Sequence, residues 1–153
     1  MTDFISLLPD YLAVLLGKAT IEYGLPLEAA IPREQLDFSI ESLRALDVYL
    51  GQLAGAPESL PEEQVVNITL VAGAYLGEVI RRNARRSYQW LPYAEYFASR
   101  PKLAGLFPLC LGTTAVLATD SGAMTLPVNK ISRFIQEGPE NGTHYYASLE
   151  VKQ

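Results

Sequence analysis

The sequence predicts an α+β fold, and two patterns carry that prediction. Residues 65–86, VVNITLVAGAYLGEVIRRNARR, place apolar and small side chains at helical spacing around almost the whole circumference, the mark of a buried helix. From residue 87 onward the helical period gives way to short β-prone runs separated by aromatic residues, glycines and prolines. The expected architecture is a long central helix with flanking helices, packed on a small antiparallel sheet. A chain of 153 residues suits one such domain, residues 1–153, with one core.

In chain order, Pro9 in a first turn and Gly24 past the end bracket a predicted helix from Asp10 to Tyr23, with Leu12, Leu15, Leu16, Ala19 and Tyr23 as apolar positions. Residues 25–32 hold two prolines and read as a connector. Ser39 then caps a helix to Ala54, with Ile40, Leu43, Leu46, Leu50 and Leu53 on one face and Gly55 as terminator.

The central helix follows. Val65, Ala72, Leu76, Val79 and Ile80 share one face, and Val66, Leu70, Gly73 and Gly77 extend it. Ser59 and Glu62 have the spacing of a capping box, and Pro61 suits a first turn. Glu62 and Glu63 oppose the positive helix end, while Arg81, Arg82, Arg85 and Arg86 oppose the negative one. Gly73 and Gly77 each cost about 1 kcal/mol of helix propensity relative to alanine, so another backbone element is expected close across them.

Beyond it, residues 87–91 read as a short strand carrying Trp90, and residues 93–98 as a helical turn presenting Tyr96 and Phe97. Pro101 and Pro108 bound a stretch expected to be irregular. Residues 110–119 suit a strand, Asp120, Ser121 and Gly122 a turn, and residues 123–126 its partner strand. Pro127 or Asn129 opens a helix through Ile131, Phe134 and Ile135 that Gly138 and Pro139 stop. Residues 143–151 fit a helix or a strand equally well.

Composition removes whole classes of function. Hydrophobic content of 49% with 19% charged residues excludes a disordered chain. The net charge of -5 is unevenly spread. Residues 1–80 carry 12 acidic and 3 basic side chains, and residues 81–153 carry 9 basic and 5 acidic. An acidic chain with one short basic cluster does not suit nucleic acid. The N-terminal apolar run lacks the positive flank of an export signal, and the central apolar run is interrupted and shorter than the ~20 residues of a membrane span. The expectation is a cytoplasmic protein without membrane contact. Cys110, flanked by FPLCLG, reads as a buried structural thiol.

No residue is assigned a catalytic role. One His and one Cys do not make a metal cluster, so no metal or cofactor is expected. Neither a phosphate loop nor a nucleophile elbow is present. The residues left to consider for ligand or partner binding are Tyr75, Glu78, Arg81, Arg82, Arg85, Trp90, Tyr93 and His144. Glu78 shares one helical strip with Asn67, Ala74, Arg81, Arg82 and Arg85. It reads either as half of a solvated intrahelical ion pair or as a buried carboxylate held by guanidinium groups. His144 beside Tyr145 and Tyr146 reads as a partly buried, hydrogen-bonded histidine or as a base. Tyr75, Trp90, Tyr93, Tyr96, Phe97, Tyr145 and Tyr146 read as core and core rim, or as a binding surface.

The ordered set SIESLRALDVYL, GAYLGEVIRRN, a tryptophan shortly after, and LPVNKISRFIQEG followed by a tyrosine pair resembles a family of small uncharacterised bacterial cytoplasmic proteins, over residues 36–146. In that family a glycine pair commonly precedes the tryptophan, where this chain has Ser87, Tyr88 and Gln89. The resemblance implies a bacterial cytoplasmic setting and supplies no catalytic residues.

Two functions fit these observations. One is a non-enzymatic interaction protein, immunity-like or an adaptor, whose acidic half meets the basic surface of a protein partner. The other is a small anionic-ligand-binding protein or enzyme with a Glu/Arg/Tyr cleft around Glu78. Neither pattern selects an oligomeric state.

Overall fold

A computed structural model of the protein describes residues 3–153, and the fold is α+β. The described elements run α1 (Leu8–Leu15), α2 (Ser42–Ala54), α3 (Glu62–Asn83), β1 (Tyr88–Pro92), α4 (Tyr93–Phe97), α5 (Pro101–Leu106), β2 (Ala115–Thr119), β3 (Met124–Thr125), α6 (Pro127–Glu137) and α7 (Thr143–Val151). The sheet order is β1-β2-β3 with both pairs antiparallel, Trp90 opposite Leu117 and Leu117 opposite Thr125.

α3 is the central helix. Every residue from Val71 to Ile80 is buried, and α6, α1 and α7 pack around it. Its small residues are where neighbours come closest. A side chain at Gly73 would stand 2.8 Å from the Val128 Cα of α6, and one at Gly77 would overlap the Trp90 indole of β1. The expected close approach is therefore a helix backbone at the first glycine and an aromatic ring at the second.

β2 is buried on both faces. Ala115 and Leu117 turn toward the clusters that contain α3 residues, while Val116 and Ala118 alternate to the opposite side and pack with Tyr96, Phe97 and Leu126. The sheet thus separates the main core from a smaller aromatic one under α4 and α5.

Several boundaries differ from expectation for identifiable reasons. α1 ends at Leu15 because Gly17, at φ +79°, closes a Schellman motif in which the Gly17 N–H donates to the Val14 carbonyl at 3.1 Å and the Lys18 N–H to that of Ala13 at 2.8 Å. Ala19 and Tyr23 are consequently exposed loop residues. α2 starts at Ser42, where Ser39 Oγ accepts the Ser42 N–H at 3.1 Å, so the capping hydroxyl sits one turn ahead of the helix. The Ser59–Glu62 capping box does not form: Ser59 closes a 3-10 turn and donates to the Ala56 carbonyl at 2.8 Å, and α3 begins behind Pro61. α3 stops at Asn83, which leaves Arg85 and Arg86 beyond it. The stretch bounded by Pro101 and Pro108 is largely helical as α5, and the strand expected from residue 110 starts only at Ala115, after a 3-10 turn over Leu111–Thr113.

α7 has no capping side chain of its own. Asp47 of α2 performs that role, accepting the Thr143 N–H at 2.8 Å, the Thr143 hydroxyl at 2.6 Å and the His144 N–H at 3.1 Å. Among the described residues no helix is long and apolar enough to cross a membrane.

Candidate functional site

Glu78 lies near the end of α3 and is only 3% exposed. Spacings of three and four residues bring Arg81 and Arg82 onto its face of the helix. Oε2 accepts from Arg81 Nε at 2.8 Å and from the indole Trp90 Nε1 at 2.9 Å. Oε1 accepts from Arg81 Nη2 at 2.9 Å and from Arg82 Nε at 3.4 Å. Burial pushes the carboxyl pKa up, but the Arg81 and Trp90 hydrogen bonds and the charges of both arginines outweigh it, so the group is held below the usual glutamate range. The two sequence readings of Glu78 merge. The carboxylate is buried, while the guanidinium side chains remain 42% and 43% exposed.

Arg82 extends this cluster toward α2. Its guanidinium lies 3.8 Å above the Phe38 ring, which is 4.9 Å from the Tyr75 ring. The Tyr75 hydroxyl accepts the Phe38 N–H at 3.0 Å and shares a 2.6 Å hydrogen bond with Ser42 Oγ. Tyr75, Glu78, Arg81, Arg82 and Trp90 are thus brought together as one bonded assembly. Four donors occupy a carboxylate with about four acceptor positions, which leaves it nothing to offer a ligand. None of the five principal cavities is lined by Glu78, Arg81 or Arg82.

The other candidates stand apart from this assembly. Arg85 is an exposed residue of the turn after α3. The Tyr93 hydroxyl donates to the Phe107 carbonyl at 2.7 Å, and its ring is 4.4 Å from that of Phe97, in the aromatic core on the far face of the sheet. His144 sits on α7, with Nε2 at 3.3 Å from Glu41 Oε1. Of the other aromatic residues, Tyr96 and Phe97 are buried, whereas Tyr145 is 69% exposed.

Cys110 is exposed, not buried. Thr113 Oγ1 accepts the Cys110 N–H at 2.9 Å and donates to the Pro108 carbonyl at 2.9 Å, tying the FPLCLG segment into a tight surface turn. Leu109 and Leu111 on either side of it are exposed as well, so apolar neighbours in sequence do not make this thiol a core residue.

A surface the sequence does not announce lies at the other end of α3. Tyr23 and Leu27 are 63% and 52% exposed, and both adopt a left-handed backbone, at φ +70° and +45°. Bulky residues adopt that conformation at a cost of roughly 1–2 kcal/mol each. The loop is held by α3: Gln64 Nε2 donates to the Tyr23 carbonyl at 3.0 Å, and Asn67 Nδ2 donates to those of Glu22 at 2.7 Å and Gly24 at 2.9 Å. Tyr23, Glu62, Glu63, Val66 and Asn67 line a shallow cavity of about 340 Å³. The sequence signal was faint: two amide side chains, Gln64 and Asn67, ahead of the apolar middle of the helix. Among the described residues no group of three or more His, Cys, Asp or Glu side chains is placed to hold a metal ion.

Comparison of the chain with protein-family models, with curated proteins and with solved structures gives no match.

Proposed function

We propose that the chain is a non-enzymatic interaction protein, immunity-like or an adaptor, whose acidic N-terminal half captures a basic protein partner. One observation carries the reading: Tyr23 is held outward in a left-handed backbone by Gln64 and Asn67, next to Glu62 and Glu63. A tyrosine presented by a pre-ordered loop is a low-entropy anchor, and tyrosine is enriched among residues that dominate interface energies. The surrounding carboxylates select and steer a cationic surface. The bonded state of Glu78 speaks against the cleft around it as a small-ligand or catalytic site. The family resemblance supports a bacterial cytoplasmic setting.

Calorimetric titration against basic proteins encoded beside this chain's gene tests the reading. Binding should weaken at least about tenfold with Tyr23→Gly or with Glu62→Lys/Glu63→Lys, and should weaken as salt rises. A metabolite or nucleotide that specifically stabilises the protein in a thermal-shift panel, with that stabilisation lost in Arg81→Gln and with no basic protein bound, would replace it with the small-ligand reading around Glu78.

A further inference from the structure

A second cavity, of about 370 Å³, opens between β3, α6 and α7. Its volume lies within the range of about 300–1,000 Å³ typical of small-molecule sites. Phe107, Met124 and Leu126 form an apolar wall, and Asn129, Lys130 and Tyr146 contribute polar groups.

The charge in this cavity is unbalanced. Arg133 reaches its edge but is paired with Glu137 through two hydrogen bonds of 3.2 Å. Lys130 has no carboxylate within 4.0 Å among the described residues. Its ammonium faces the Tyr146 ring at 5.4 Å from the centroid. The Asp47 carboxylate, whose field also reaches Lys130, is already engaged by Thr143 and His144. Burial, and then the charge of Arg133, push the Lys130 pKa down against the opposing fields of Glu137 and Asp47. Asn129 lines the same cavity with no hydrogen-bond partner for its amide among the described side-chain bonds, so it can donate to an incoming oxygen. The Tyr146 hydroxyl is hydrogen-bonded to Thr125 Oγ1, which fixes the ring that faces Lys130.

From this juxtaposition we infer that the cavity binds a small organic carboxylate with an apolar body, its carboxylate on Lys130 and the Asn129 amide and its body against Phe107, Met124 and Leu126. The site is separate from the Tyr23 surface and does not depend on the partner reading. An inorganic anion would leave the apolar wall unused, and a neutral apolar molecule would leave the ammonium unpaired.

Amide chemical-shift titrations of the full chain test the assignment, with benzoate and phenylacetate as probes and benzamide and inorganic phosphate as controls. The carboxylates should give saturable shifts centred on residues 124–130 and 146, with benzamide at least about tenfold weaker. Lys130→Met should weaken benzoate binding by a similar factor, Lys130→Arg should retain most of it, and Tyr23→Gly should leave it unchanged. Lys130 is only partly buried, so an unchanged melting temperature for Lys130→Met separates lost binding from lost fold. Absence of saturable shifts, equal response to benzamide, saturation by phosphate in place of the carboxylates, or survival of binding in Lys130→Met would each overturn the proposal.

Discussion

The Trp90 indole donates to Glu78 Oε2 at 2.9 Å while the same ring lies against Gly77, where only a hydrogen fits. The two contacts are one device. The missing side chain at Gly77 lets the indole of β1 settle on α3, and the settled indole covers a carboxylate that the buried stretch from Val71 to Ile80 could not otherwise hold. The arginines then supply its counter-charge from the solvent side.

Glu78→Gln should therefore cost about 2 kcal/mol in denaturant melts. This is less than the loss for a fully buried ion pair, because both guanidinium groups can turn to water. A double-mutant cycle with Arg81→Gln should return a coupling of about 1 kcal/mol or more, and the cycle with Arg82→Gln a smaller one, since Arg82 stands at 3.4 Å and Arg81 makes two shorter bonds. Additive effects in both cycles would reduce the assembly to a solvated helix face.

The acid limb of stability should depend on the same carboxylate. Its pKa is depressed in the folded chain, so its contribution is complete above the unfolded value of about 4.3 and is lost as pH falls through the folded value. The gap between wild type and Glu78→Gln should stay level from about pH 8 to pH 5 and close below about pH 4. A gap that widens on acidification would mean that the carboxyl titrates in the opposite sense.

Gly77→Ala and Gly73→Ala separate the two close approaches along α3. The first should displace the indole and cost about 1–3 kcal/mol, with red-shifted emission from the chain's one tryptophan. The second should destabilise by pressing on the Val128 backbone while the emission stays in place. Unchanged fluorescence in Gly77→Ala would show that the ring has another place to go.

Tyr23→Gly should leave the melting temperature equal or raise stability by up to about 1 kcal/mol, because glycine removes the left-handed strain at φ +70°. Equal or higher stability would show that the fold does not need Tyr23, as the proposed partner surface requires. A clear loss of stability would make Tyr23 a packing residue.

Cys110 should react with Ellman's reagent in the native protein, one thiol per chain, without prior unfolding. Protection until the unfolding transition would contradict its surface position.

Elements announced by local chemistry were legible in the sequence. Pro127 and Gly138 bound α6 as expected, and the Asp120–Gly122 turn joins β2 to β3. The i+3 and i+4 arginines around Glu78 were readable for the same reason, since helix spacing alone places them. What depended on distant partners was not. Gly17 and Gly24 both adopt left-handed backbone, and nothing local says that the first of them ends α1. The Trp90 bond to Glu78 crosses from strand to helix, and Tyr93 and His144 are drawn to other neighbours by Phe107 and Glu41. Tyr23 looked like the last apolar position of a helix because exposure is decided by where the chain turns.

Asp47 reaches across 96 residues of chain to hold the first turn of α7. A nine-residue helix is too short to persist in water by itself, and this one borrows its cap from α2. Its formation therefore waits on a long loop closure, whose entropy must be met before the Thr143 bonds can repay it. In kinetic terms, a helix held this way is expected to be placed late, so stopped-flow measurements on Asp47→Ala should show faster unfolding with little change in folding rate, and slower folding would place the cap early.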